Sequence, residues 1–214
     1  MSLQAFQQAL VDLTLAPQQT RRLIRGDLTI LDSYDLDERE LSRLLDVVNH
    51  PGMSLNCTIA RGNRFDAIGE VFPMTCVLLE PVLRDLLAEL WENVRPTNYQ
   101  FAGEEEAFAG IVRQKLSNSE LSIPYLEEIF AYECRCWELA QEMRNQTELD
   151  HEVDAIIEFH HPPDLLLPPL SEMTAPPAGL PTGVYRARLT LRRNRFHVEM
   201  ISALPDDPTP TASN

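Results

Sequence analysis

The sequence predicts an α+β protein: an N-terminal all-α helical domain over residues 1–148, followed by a small C-terminal β-rich domain over 149–214. Three observations carry this. Apolar residues recur at helical spacing from the start of the chain to about Arg144, with no strong strand pattern in that stretch. Prolines 73, 81 and 124 fall where one apolar run gives way to the next. Val184–Ser202 then changes period, alternating apolar and polar residues as a half-buried strand does.

Residues 2–15 set Leu3, Phe6, Leu10 and Leu13 on one helical face, ended by Ala16-Pro17. Leu23, Ile24, Leu28 and Leu31 suggest a short, broken helical stretch. Asp35 is placed to cap the next helix, with Asp37, Glu38 and Glu40 at the positive end of its dipole. Leu41, Leu44, Leu45 and Val48 form its stripe, and Pro51-Gly52 stops it. The central segment, Asn56–Trp91, is broken at Pro73, which lacks an amide donor and clashes with the preceding turn. Pro81 suits the first turn of a helix burying Leu83, Leu86, Leu87, Leu90 and Trp91. Arg95–Asn98 reads as a loop, Glu104–Leu116 as a helix, and Tyr125 to about Arg144 as a long helix behind Pro124.

Ala155–His160 reads as a strand. Seven prolines between Pro162 and Pro181 predict an extended connector. In the following hairpin Tyr185, Ala187, Leu189 and Leu191 face one way, and Arg186, Arg188, Thr190 and Arg192 the other. Arg193-Asn194-Arg195 is turn-like, and Phe196, Val198 and Met200 return as the partner strand. The tail DDPTPTASN is disordered by composition. So thin a β unit needs helices or a partner to pack on.

The net charge of −15 argues against general nucleic-acid binding, since most of this surface repels phosphate. No run of about 18 apolar residues exists to span a membrane. The first residues lack a basic stretch and small-residue cleavage site, so a cytoplasmic location is expected. Cys57, Cys76, Cys134 and Cys136 then read as free thiols. On a helix Cys134 and Cys136 diverge too far to share a metal. His160 and His161, with His151 and Glu158 near, suggest a metal site until strand geometry sends adjacent side chains to opposite faces. No nucleophile elbow, phosphate loop or zinc-protease motif is present, which argues against autonomous catalysis.

Two stretches resemble a known family. ARGNRFDAIGEVFPMTCVLL, then Ser122–Ile129 (SIPYLEEI) with Glu133, is similar to the HvfC-type family. The matching residues are Arg61, Asn63, Phe72, Pro73, Thr75, Pro124, Tyr125, Leu126 and Glu133. Ala60 stands where the family usually has tyrosine, and the C-terminal unit matches by pattern alone. The family's members carry a DNA-binding label on a helical N-terminal domain ahead of a small α/β or β-rich one.

The resemblance, and that to MbnC, the partner protein of methanobactin biosynthesis, implies a non-catalytic companion. Its heterodimer partner is a multinuclear non-heme iron oxidase with a TIM-barrel fold, which modifies cysteines of a ribosomally made precursor peptide to make a copper chelator. The companion holds the oxidase and captures the leader peptide. It carries no catalytic residue, metal ligand or cofactor of its own; the iron belongs to the oxidase.

Read this way, Tyr185, Arg186, Arg188, Thr190, Arg192, Arg193 and Arg195 form a leader-binding strand edge. Backbone bonds would supply affinity, and arginines would select acidic side chains. The same arginines also read as the solvated face of a hairpin, or as a nucleic-acid patch with few aromatics to stack bases. Arg61, Asn63, Arg64 and Phe65 read as an oxidase-facing interface, or as a polar helix terminus capped by Asn63. Tyr125 and Glu133 read as members of an internal hydrogen-bond network. The competing functions are a nucleic-acid-binding regulator, and an enzyme using Cys134 and Cys136 or the histidines.

Overall fold

The computed structural model describes residues 3–94, 103–145, 152–192 and 195–205. The loop expected at 95–98, His151, the turn residues 193–194 and the tail 206–214 lie outside the described residues. The chain is α+β, with a three-stranded antiparallel sheet after the helices. No helix among the described residues is long and apolar enough to cross a membrane.

The structure divides into two compact units, but not at residue 148. One holds Met1–Glu70 and Arg84–Ile111; the other holds Val71–Leu83 and Val112–Asn214. The reason is packing: the long helix expected in the N-terminal body instead covers the sheet.

In the first unit, α1 (Leu3–Leu15), α2 (Pro17–Ile24), a 3-10 turn (Leu28–Leu31), α3 (Glu38–Asn49) and most of α4 (Pro51–Val71) enclose a core. Ala9, Leu13, Leu23, Leu44, Val48 and Met53 make its centre, with Phe6, Leu10, Leu41 and Leu45 packed against it. The cap of α3 is Asp37 rather than Asp35. Its carboxylate accepts from the Glu40 amide while Glu40 accepts from the Asp37 amide, a reciprocal capping box. Pro51 ends α3 as expected but opens α4 almost at once. Arg61, Asn63 and Arg64 therefore lie in the middle of a helix, and Asn63 caps nothing. The parts of α6 (Glu80–Asn93) and α7 (Glu104–Ser117) up to Ile111 complete the unit.

The second unit begins where Pro73 breaks the helix. Phe72 caps α5 (Pro73–Leu78), with the proline at its first position, where no amide donor is missed. The helix α8 (Leu126–Arg144) lies across β1 (Glu152–Phe159) and β2 (Gly183–Arg192). Phe72 stacks near Phe130 and Trp137, and Tyr132 meets Phe159 at 5.8 Å between ring centroids. Among the described residues the final strand, β3 (Arg195–Pro205), pairs with β2 alone.

The proline-rich segment departs from the extended connector expected above. Its first part forms α9 (Pro163–Ser171), with Pro168 and Pro169 inside it. Leu166 and Leu170 are fully buried, and that burial offsets two missing amide donors. The end is closed in the manner of a Schellman motif: Thr174 N–H donates to the Pro169 carbonyl and Met173 N–H to that of Leu170. Met173 holds φ +58°, the left-handed position usually given to glycine.

Candidate functional site

Sheet order decides what the arginines can do. The order is β1-β2-β3, so the arginine-bearing β2 is the central strand and both its ladders are already paired. Its backbone cannot take up a peptide, which corrects the expectation that this strand offers an edge. Alternation places Tyr185 on the buried face, away from any ligand on the outer one. On the outer face Arg186 pairs with Glu158 at 3.0 Å. Arg188 reaches Asp154 and Arg192 reaches Glu152, each at 3.9 Å. All are about half exposed, so each pair contributes about 0–1 kcal/mol and mainly neutralises the arginine it holds. Thr190 shares that face opposite Asp154 and His197. Arg193 lies outside the described residues. Arg195, at the start of β3, takes part in none of these three pairs.

The unpaired edge of the hairpin is that of β3. Register puts Phe196, Val198 and Met200 opposite Leu191, Leu189 and Ala187, on the face that α8 covers elsewhere. Yet they remain 39 %, 38 % and 40 % exposed, and Ile201, beside the register shift at Arg186/Ala187, is 48 % exposed. Below Val198 and Met200 runs a groove of about 390 Å³, its other walls formed by Met74, Tyr132, Pro163 and Leu167. An open strand edge above an apolar groove can receive an extended segment: the edge supplies backbone partners and the groove takes alternate side chains. The alternation of Phe196, Val198 and Met200 was a signal for this site. The sequence could not reveal that the described residues leave them only partly covered.

Three polar anchors hold the unit beneath that edge. Glu133, 3 % exposed on α8, accepts from the backbone amides of Met74 and Thr75 at 2.7 and 2.8 Å, capping α5 from a distance. Burial pushes its carboxyl up to about 7, although the two amides and the Thr75 side chain pull the other way. Glu128 accepts from the amides of His160 and His161 and touches the His161 ring at Nδ1. Tyr125 precedes α8 at φ +66°. Its hydroxyl donates to the Pro177 carbonyl at 2.9 Å and accepts from the Leu180 amide at 3.3 Å. Its ring meets His161 edge-on. Tyr125 and Glu133 thus lie in separate anchors rather than one network. With His161 engaged by Glu128, no group of three or more His, Cys, Asp or Glu among the described residues is placed to hold a metal.

In the first unit Arg64 proves to be core rather than interface. It is 1 % exposed, and its guanidinium donates to Glu104 at 2.7 Å and to the carbonyls of Val94 and Leu15 at 2.9 and 3.3 Å. It also lies 5.3 Å over the Trp91 ring. Burial raises the Glu104 carboxyl, and Arg64 opposes that shift. Arg61 is half-buried and donates to the Cys57 carbonyl; Asn63 is exposed; Phe65 is half-buried beside Gly69. Leu55 and Ile59, 61 % and 52 % exposed, stand two turns and one turn before Asn63 on α4, and Ile59 and Asn63 line a depression with Leu10 and Leu15. The thiols of Cys76 and Cys136 are pushed up to about 12, mainly by burial, which makes them poor nucleophiles.

No protein-family model, no curated protein and no solved structure matches this chain.

Proposed function

We propose that this chain is the non-catalytic partner of a multinuclear non-heme iron oxidase that modifies cysteines of a ribosomally made precursor peptide. Its sheet recruits the peptide's leader as a fourth strand. The carrying observation is the open edge of β3 beside the apolar groove under Val198 and Met200. The bound segment is extended, with apolar side chains at alternate positions directed to that groove. On the outer face an acidic side chain of the leader pairs with Arg195, taking the selecting role that β2's arginines lose to β1. The helical unit holds the oxidase through the apolar surface of α4, at Leu55 and Ile59 with Asn63 one turn further along the same face. Work on the peptide is done by the oxidase, in keeping with the weakly nucleophilic thiols of Cys76 and Cys136.

Co-expression tests the assignment. The chain and its oxidase co-purify, and the oxidase needs the chain to process its peptide at full rate. Failure to co-purify, together with full activity of the oxidase alone, contradicts it.

A further inference from the structure

The first unit contains a cavity of about 490 Å³ that the peptide-recruiting role leaves unused. Its wall is built from Ala16 and most of α2, the middle of α4 and the stretch of α6 from Arg84 to Glu92, and four arginines reach it: Arg21, Arg22, Arg61 and Arg84. That is four of the 18 basic residues of a chain whose net charge is −15. Arg22 is held by Asp27 at 2.7 Å. Arg61 donates only its Nε, to the Cys57 carbonyl, and no ion pair among the described residues engages Arg21 or Arg84. Glu92 is the one acid on the wall. Three guanidinium groups with no ion pair among the described residues, less one carboxylate, leave a local charge of +2 in a concave site.

Two further features suit an anion. Ala16 caps α2 without a side-chain acceptor; Pro17 has no amide and that of Thr20 donates to the Ala16 carbonyl, which leaves the Gln18 and Gln19 amides of that eight-residue helix at the cavity wall. Trp91, with Pro17 and Ala88, gives one side of the cavity a flat apolar surface, braced from within by Arg64. Arginine forks match the tetrahedral oxygens of phosphate in pairs, and this patch is locally basic on a chain whose surface elsewhere repels phosphate.

We propose that the cavity of the first unit binds a small phosphate monoester, its dianionic phosphoryl group held by Arg21, Arg61 and Arg84 and its flat apolar remainder against Trp91. Phenyl phosphate is a suitable probe, titrated into the full chain by calorimetry and followed in parallel by tryptophan fluorescence. Benzoate carries the ring with a single charge, and succinate carries two charges without phosphorus. Phenyl phosphate is expected to bind saturably with one-to-one stoichiometry, about tenfold or more tighter than either comparison anion. The variant Arg21→Gln/Arg84→Gln alters two exposed side chains and so keeps the wild-type melting curve. It is expected to lose binding about tenfold or more, while Arg21→Lys/Arg84→Lys falls between, because lysine keeps charge without the fork. Absence of saturable binding overturns the site. Equal binding by the glutamine variant overturns its location, and equal or tighter binding of succinate overturns the phosphate assignment.

Discussion

Replacing Arg64 by methionine separates a core role from an interface role. The substitution keeps the aliphatic volume but removes the Glu104 ion pair and the donors to the Val94 and Leu15 carbonyls. Glu104, 2 % exposed, is then left without its cation. Breaking a buried pair in this way costs about 3–5 kcal/mol. Arg64→Met/Glu104→Leu removes the stranded carboxylate as well, leaving mainly two carbonyls to be satisfied at about 1–3 kcal/mol each. The double variant lacks the stranded charge and is therefore expected to be more stable than Arg64→Met alone; Glu104→Leu completes the cycle, with a coupling of about 1–3 kcal/mol. Urea unfolding of the full chain followed by circular dichroism reads this as midpoint shifts at constant slope. Because burial already raises the Glu104 carboxyl, the single variant recovers stability as pH falls through the carboxylate range. A single-variant loss below about 1 kcal/mol refutes the reasoning, since that is the scale of an exposed pair. So does a double variant no more stable than the single one.

The remaining predictions concern the second unit. Glu133 is raised in the folded state from 4.5 to about 7. Its contribution is therefore complete below the lower value and disappears as pH rises through the higher, amounting to up to about 3 kcal/mol. Glu133→Gln should flatten that part of the stability-against-pH curve, and an unchanged slope contradicts the assignment. Tyr125→Phe removes the hydroxyl joining Pro177 to Leu180. Hydrogen exchange over 176–182 should rise while α8 keeps its protection; unchanged exchange there means the hydroxyl secures nothing. Arg188→Ala should change stability by no more than about 1 kcal/mol and leave peptide binding intact. Arg195→Glu and Met200→Lys should each weaken binding about tenfold or more in a titration with the precursor peptide. The reverse ranking would return the site to β2.

Local signals carried much of the fold. Proline at 73 ends α4 because it cannot donate to the preceding turn, and the Tyr185–Leu191 alternation needed nothing beyond strand geometry. The path from β1 to β2 was less legible: burial of Leu166 and Leu170 outweighs two internal prolines, a tertiary effect that composition does not contain. Arg64 misled for a related reason. A run such as Arg61–Arg64 looks like a polar surface until Glu104, forty residues on, is found to neutralise one member inside the core. The arginines of β2 were visible as a feature, but strand order was not. Only pairing with Glu152, Asp154 and Glu158 of β1 identifies that strand as central and moves the open edge to β3. The cavity of the first unit is assembled from α2, α4 and α6, and no short stretch of sequence contains it.

Hydrogen exchange on the full chain, with and without its precursor peptide, tests the recruiting role most directly. Added as a strand, the peptide should slow exchange of the β3 amides over 195–205 and leave those on the outer edge of β1 unchanged. Protection confined to β1, or β3 amides that exchange equally fast with the peptide bound, would contradict it.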